Sequence, residues 1–296
     1  MSRTRLFALW VAPLLASALA ACSPFKALNA FNPGDAYQAS PNLAYGAEPR
    51  QQLDIYAPKQ AADLPVVVFF YGGSWNSGSR ADYAFVGDAL ASRGIVAVIA
   101  DYRLYPEVTY PAFVEDAARA VAWVRIHIGK FGGDPNRLFV AGHSAGAYNA
   151  AMVALDARWL APFGVDPSIL RGWIGIAGPY DFLPIENEAV KPAFHFPNTP
   201  PDSQPIRHVT ADAPTTLLLA GTADTTVNPI RNTEGLAKAL TEAGVPVTVK
   251  TYDGVGHAMM VGVIARPLRW RAKVLDDMTR FVLEQSASVK NNASAF

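Results

Sequence analysis

Arg137-Leu138-Phe139-Val140-Ala141-Gly142-His143-Ser144-Ala145-Gly146-Ala147 is the stretch that decides how this chain folds. Leu138 to Ala141 are consecutive apolar residues, the pattern of a strand buried on both faces, and Arg137–Ala141 is read as that strand. Two glycines then flank a serine. From Ala145 to Leu155 the residues are mostly small and apolar and read as a helix. The order is strand, tight turn, helix, with Ser144 at the turn. Side chains at the two flanking positions would collide with strand and helix, so glycine is required there. A serine so held has a helix N-terminus behind it, which stabilises developing negative charge. An N-cap serine is the alternative and involves no chemistry. The strand, both glycines and the partners found later in the chain make Ser144 the candidate nucleophile.

A serine hydroxyl needs a base. The chain has five histidines: His127, His143, His195, His208 and His257. His143 lies inside the motif, but its side chain is expected to point away from the seryl oxygen, into packing or a hydrogen bond. His127 falls in a helix and His195 in an irregular stretch. His257, in Asp253-Gly254-Val255-Gly256-His257, follows a strand in a turn-rich segment and is the candidate base. The carboxylate that orients it is expected on a separate loop between Ser144 and His257. Asp224, after Leu217-Leu218-Leu219-Ala220-Gly221, is the leading candidate. Asp253 and Asp181 are its rivals.

Upstream, Pro65–Tyr71 (PVVVFFY) is another buried strand, and Gly72-Gly73-Ser74-Trp75 follows it directly. Adjacent glycines let backbone N–H groups approach a substrate oxygen. Gly73, Ser74 and Ala145 are the candidate oxyanion donors.

Around these segments strands alternate with helices. Strands are expected at 53–56, 95–100, 173–177, 215–220 and 247–252. Helices are expected at 83–93, 111–129, 232–243 and 267–285. This alternation implies an α/β architecture with a mainly parallel central sheet and helices on both faces. Pro184–Pro205 breaks it and reads as an irregular lid insertion. Phe182, Phe194 and Phe196 there are either pocket or lid packing.

These residues resemble the α/β-hydrolase superfamily, in its esterase branch with a His-Gly-Gly-x-Trp oxyanion motif. That branch holds feruloyl-esterase-like, prenylcysteine-methylesterase-like and kynurenine-formamidase-like proteins. The matching stretches are Gly72-Gly73-Ser74-Trp75, Asp101-Tyr102-Arg103-Leu104, Phe131-Gly132-Gly133-Asp134-Pro135, Gly142-His143-Ser144-Ala145-Gly146, Gly221-Thr222-Ala223-Asp224 and Gly256-His257. The resemblance covers about residues 45–286. Tyr71 stands where the family usually has His, a position that resembles a structural hydrogen-bonding role.

The N-terminus has a different logic. Arg3 and Arg5 precede the apolar run Leu6–Leu19, and Leu19-Ala20-Ala21-Cys22 looks like a bacterial lipobox. The single cysteine of the chain sits where a thioether to diacylglycerol would form. Residues 1–21 are read as a lipoprotein signal peptide and 22–43 as a linker after the lipidated cysteine. Residues 44–286 are read as the catalytic domain and 287–296 as a flexible tail. An ordinary signal peptide or an uncleaved anchor is the alternative. The expected location is the bacterial cell envelope, tethered to the lipid bilayer and, with Ser23 after the cysteine, at the outer membrane.

Composition narrows the remaining classes. With 25 basic and 25 acidic residues in 296, no net charge and no basic cluster, nucleic acid is not an expected partner. One cysteine excludes an intrachain disulfide and a Cys/His zinc cluster. No metal or cofactor is expected. The resulting expectation is a serine hydrolase of carboxylic esters acting on a small-molecule ester through an acyl-enzyme. An amidase on the same three residues, and a non-catalytic lipid-anchored binding protein on the same scaffold, are the other readings.

Overall fold

The computed structural model describes residues 24–35 and 37–293. Eight strands form one sheet in the order β1-β2-β4-β3-β5-β6-β7-β8. They are β1 (Tyr37–Ala44), β2 (Gln52–Pro58), β3 (Leu64–Phe70), β4 (Val96–Ala100), β5 (Gly133–His143), β6 (Leu170–Ile176), β7 (Thr216–Gly221) and β8 (Val247–Tyr252). From β4 to β8 every neighbouring pair is parallel, while β1 and β2 join antiparallel. The helices are α1 (Pro24–Leu28), α2 (Ala84–Ala91), α3 (Ala112–His127), α4 (Ala145–Leu155), α5 (Gly235–Glu242), α6 (His257–Gly262) and α7 (Val274–Ala293). α2 and α7 touch on one face of the sheet, α3 and α4 on the other. This is the mainly parallel α/β sheet that the alternation implies.

The centre of the sheet is where apolar runs are longest. Val66 to Phe70 on β3, and Leu138 to Ala141 on β5, are fully buried because helices cover both faces. α4 is buried along its whole length between the sheet and α3. That explains its content of alanine and glycine: small residues let it lie close to the strands.

Boundaries at both ends of the chain differ from the sequence reading. Residues 22–43 are not simply a linker. Tyr37–Ala44 pairs with β2 as an edge strand, with Tyr37 opposite Pro58 and its ring edge-on to Tyr56 at 5.2 Å. Pro41 is tolerated because the register shifts between Ser40 and Leu43, and an edge strand does not need every N–H. Closer to the N-terminus, Phe25 packs on Tyr83 and Phe85 with ring centroids 5.2 and 6.3 Å apart. At the other end, the closing helix begins at Val274, not residue 267. Pro267 opens a tight 3₁₀ turn over Arg266–Arg271, and Ala272 is then extended. The helix continues to Ala293, so the tail expected from 287 is helical to that point. Ser286–Ala293 contains no glycine or proline to stop it, and the Ser286 hydroxyl donates back to the Val282 carbonyl at 2.6 Å. The signal peptide and Cys22 lie outside the described residues.

The insertion at 184–205 is irregular, as expected, apart from short 3₁₀ turns at Lys191–Phe194 and Pro201–Ser203. It is anchored by Phe194, which is fully buried among Trp75, Tyr110, Phe113, Tyr148 and Phe182. Phe196 instead stays largely exposed, with the Lys191 ammonium 4.5 Å from its ring centroid.

Candidate active site

β5 delivers Ser144 to the carboxyl end of the sheet. The turn forces Ser144 into φ 54°, ψ −122°, a conformation costing of order 1–3 kcal/mol for a residue with a side chain. The surroundings hold it there. The Ser144 N–H donates to the Ile176 carbonyl at 2.9 Å, and its own carbonyl accepts from Ala147 and Tyr148 in the first turn of α4. The flanking glycines are sterically required. A Cβ on Gly142 would lie 2.2 Å from the Gly146 carbonyl oxygen, and one on Gly146 would lie 2.0 Å from that of Phe70.

His257 opens α6, just after β8, and reaches across to the serine. Its Nε2 lies 2.8 Å from Ser144 Oγ, and its Nδ1 lies 2.7 Å from Asp224 Oδ2. Asp224 stands after β7. Its other oxygen, Oδ1, accepts from the Thr226 and Val227 backbone N–H groups at 2.9 Å each. Burial pushes the Asp224 carboxyl up. The hydrogen bond from His257 and those two backbone donors outweigh it and hold the group below the usual carboxylate range. Both carboxylate oxygens are therefore fixed, which aims one at the imidazole. The rival acids are engaged elsewhere. Asp253 accepts from the Thr222 hydroxyl at 3.1 Å, and Asp181 pairs with Arg231 at 3.2 Å.

His143 points away from Ser144, as its place in the turn requires. Its Nε2–H donates to the main-chain carbonyl of His257 at 3.0 Å. Burial, with the neighbouring His257 adding to it, drops its pKa to about 3, so the ring is neutral. The other histidines sit apart from this cluster. His195 bonds the Tyr110 carbonyl, His208 that of Asp202, and His127 stacks on Trp123.

A cavity of about 910 Å³ opens above Ser144. Ser74 and Ala145 line it beside the serine, and Gly73 directly precedes Ser74 in the turn, its carbonyl accepting from Asn76 and Ser77 at 3.0 Å. Gly73 must be glycine, because at φ 135° a Cβ would lie 2.2 Å from the Ser77 carbonyl oxygen. Ser74 and Trp75 continue the turn at φ 51° and 57°. These strained residues are held from beneath. The Trp75 indole N–H donates to Asn149 Oδ1 at 3.2 Å, and its ring packs against Tyr148, Phe182 and Phe194. Asn149 is a site residue that the sequence reading missed. The available signal was one amide in the otherwise apolar middle of α4.

Tyr71 takes the structural place expected of the family's histidine. Its hydroxyl donates to Asp101 Oδ1 at 2.7 Å and accepts from Arg50 Nη2 at 2.7 Å, and its ring stacks between Tyr83 and Tyr102. Arg80 bridges Asp101 and Asp54 in the same buried network. The loop that leads to Gly73 and Ser74 is thereby fixed from behind.

The sheet order, the turn bearing Ser144 and the His257–Asp224 pair together define an α/β-hydrolase fold. Within that class the chain belongs to the BD-FAE family, whose model matches residues 53–240. A probable isoprenylcysteine alpha-carbonyl methylesterase of Oryza sativa subsp. japonica is 30% identical over 83% of this chain and 63% of its own length. Esterase LipC of Mycobacterium tuberculosis is 33% identical over 67% of this chain and 54% of its own. The chain thus spans less than two-thirds of these curated relatives. Among solved structures, Thermogutta terrifontis esterase 2 superimposes with a TM-score of 0.68 at 27% identity, covering 84% of this chain and 95% of that one.

Proposed function

We propose that the protein hydrolyses carboxylic esters, with Ser144 as nucleophile, His257 as general base and acid, and Asp224 as its orienting carboxylate. The observation that carries this is the unbroken relay from Ser144 Oγ through both ring nitrogens of His257 to Asp224. Ser144 Oγ attacks the acyl carbon and its proton passes to His257 Nε2. Asp224, accepting from Nδ1–H, fixes the tautomer and stabilises the imidazolium. The tetrahedral oxyanion is taken up by backbone N–H groups of Gly73, Ser74 and Ala145, each such donor contributing about 2.7–4 kcal/mol to the transition state. His257 then returns the proton to the departing alkoxide, leaving an acyl-serine. Water, deprotonated by the same imidazole, releases the acid and restores Ser144.

Trp75, Phe182, Ile185 and Val190 give the cavity an apolar wall, and Asp181, Arg231 and Asn232 a polar one. That lining suits a small ester with one apolar and one polar side. The relatives' names, a prenylcysteine methylesterase and an esterase, support the ester reading. We also propose attachment to a bacterial envelope membrane through Cys22, on the strength of Leu19-Ala20-Ala21-Cys22.

Fluorophosphonate labelling tests the nucleophile. One adduct is expected on the wild type and none on Ser144→Ala. Equal labelling of both, or none on folded wild type, overturns the assignment. Turnover of p-nitrophenyl esters beside matched anilides tests ester against amide, with the esters expected to be cleaved faster.

A further inference from the structure

Trp270 is 81% exposed, the most exposed large apolar side chain among the described residues. It sits in Arg266-Pro267-Leu268-Arg269-Trp270-Arg271, a rigid 3₁₀ turn rather than a loose loop. Arg266, Arg271 and nearby Lys273 are exposed beside it. An indole held out to solvent among cations is the composition of a bilayer interface, where the amphipathic ring sits at headgroup level and the cations meet lipid phosphates.

The position of this turn relative to the N-terminus gives the composition its meaning. Asp88 on α2 lies within electrostatic reach of Arg266 and Arg269 on the turn. It also feels Asp35 in the N-terminal segment, which is tied to the same helix where Asn29 Oδ1 accepts from the Phe85 backbone N–H at 2.9 Å. The turn and residues 34–35 therefore both lie near Asp88 of α2. Phe31, in the same N-terminal segment, is 57% exposed. Phe25, earlier still, is docked on Tyr83 and Phe85. Only three residue steps separate Cys22 from Phe25, and they reach at most about 11 Å when fully extended. A lipid on Cys22 would leave the body almost no slack, and the face that meets the bilayer would be this one.

We propose that the surface formed by Phe31 and the Arg266–Arg271 turn docks on a phospholipid bilayer, with Trp270 seated at the headgroup level. The proposal rests on the Cys22 anchor reading for its orientation, and the test separates the two.

The full-length chain is reconstituted into vesicles of phosphatidylethanolamine and phosphatidylglycerol, with and without brominated acyl chains. Trp270 fluorescence is taken as the difference between wild type and Trp270→Phe, a substitution on an exposed side chain that does not line the cavity above Ser144. That difference signal is expected to fall about twofold or more in the brominated vesicles, as for an indole at the interface. The Phe31→Ser, Trp270→Ser double variant is expected to float with vesicles through Cys22 yet show greater protease sensitivity of the 266–271 turn than the wild type. If the chain floats and its Cys22 carries lipid, but the Trp270 signal is quenched by aqueous acrylamide and not by bromine, docking is overturned and the anchor stands. If Trp270 escapes both quenchers and cross-linking traps a dimer, the partner is a second copy and the proposal fails. A chain that neither floats nor carries lipid overturns both readings.

Discussion

The ring of His143 donates through Nε2 to the main-chain carbonyl of His257, 3.0 Å away. The residue beside Ser144 thus holds the backbone of the residue whose ring reaches Ser144 Oγ. The expectation is a positioning role. His143→Leu should lower kcat by about tenfold, the effect of one lost buried hydrogen bond of ~1.4 kcal/mol, while leaving KM nearly unchanged. His143→Gln, which retains a donor, should recover part of that loss. Steady-state kinetics on the two variants checks it.

The same histidine gives a signed pH dependence of stability. Its pKa is about 3 in the folded protein against 6.5 for an ordinary, solvated imidazole. Between those values the unfolded chain binds the proton and the folded chain does not, so stability falls as pH drops from 6.5 toward 3. Asp224 adds a loss of the same sign, because its lowered pKa stabilises the fold only while the carboxylate is ionised. Thermal unfolding of wild type should show a larger decrease in Tm between pH 7 and pH 4.5 than His143→Gln. Equal decreases would remove His143 from this account.

Asp224→Asn should leave the fold intact and cut kcat by roughly 10⁴, since an amide at Oδ2 selects the wrong imidazole tautomer. Asp253→Asn and Asp181→Asn should stay within about tenfold of wild type, because neither carboxylate is the one bonded to His257 Nδ1. Ester turnover of the three variants ranks the acids directly.

Gly146→Ala places a methyl 2.0 Å from the Phe70 carbonyl oxygen and 2.5 Å from that of Tyr71. Both are backbone atoms and cannot swing aside. Destabilisation of about 3 kcal/mol or more is expected, read from denaturant unfolding. Gly129→Ala, where no atom lies within 4 Å of the added carbon, is the matched control and should be near neutral.

Tyr71→Phe removes a hydroxyl that links Asp101 to Arg50, but Asp101 keeps Arg80 and Arg50 keeps the Gly78 carbonyl. A loss of about 1–2 kcal/mol in stability is expected, with kcat changed less than about fivefold. Arg80→Met is expected to cost more, about 3–5 kcal/mol, because it removes the guanidinium that Asp54 and Asp101 share and leaves these buried carboxylates with neutral donors and the more distant Arg50.

The parts of the fold that were legible in the sequence are those where burial is two-sided. PVVVFFY and the strand before Ser144 read as strands because both faces are covered, and α4 read correctly to the residue because its small apolar content is needed against the sheet. β1 was missed because an edge strand need not be apolar: Tyr37–Ala44 is mostly exposed and contains Pro41. The start of α7 was misplaced because apolar spacing runs through Pro267–Trp270, where the backbone is a 3₁₀ turn. In the site, Ser144, Asp224 and His257 could be ordered along the chain. The support beneath them could not. Asn149 and Arg50 act on partners more than 20 residues away, at distances no local pattern encodes.

Ser144 and His257 are 113 residues apart, and the strands that carry them are separated in the sheet by β6 and β7. A chain still emerging, or shortened before β8, therefore has the Ser144 turn without the imidazole that reaches it. On the proposed mechanism, competence arises only when the last parallel strand has docked, so hydrolytic turnover would double as a reporter of complete folding.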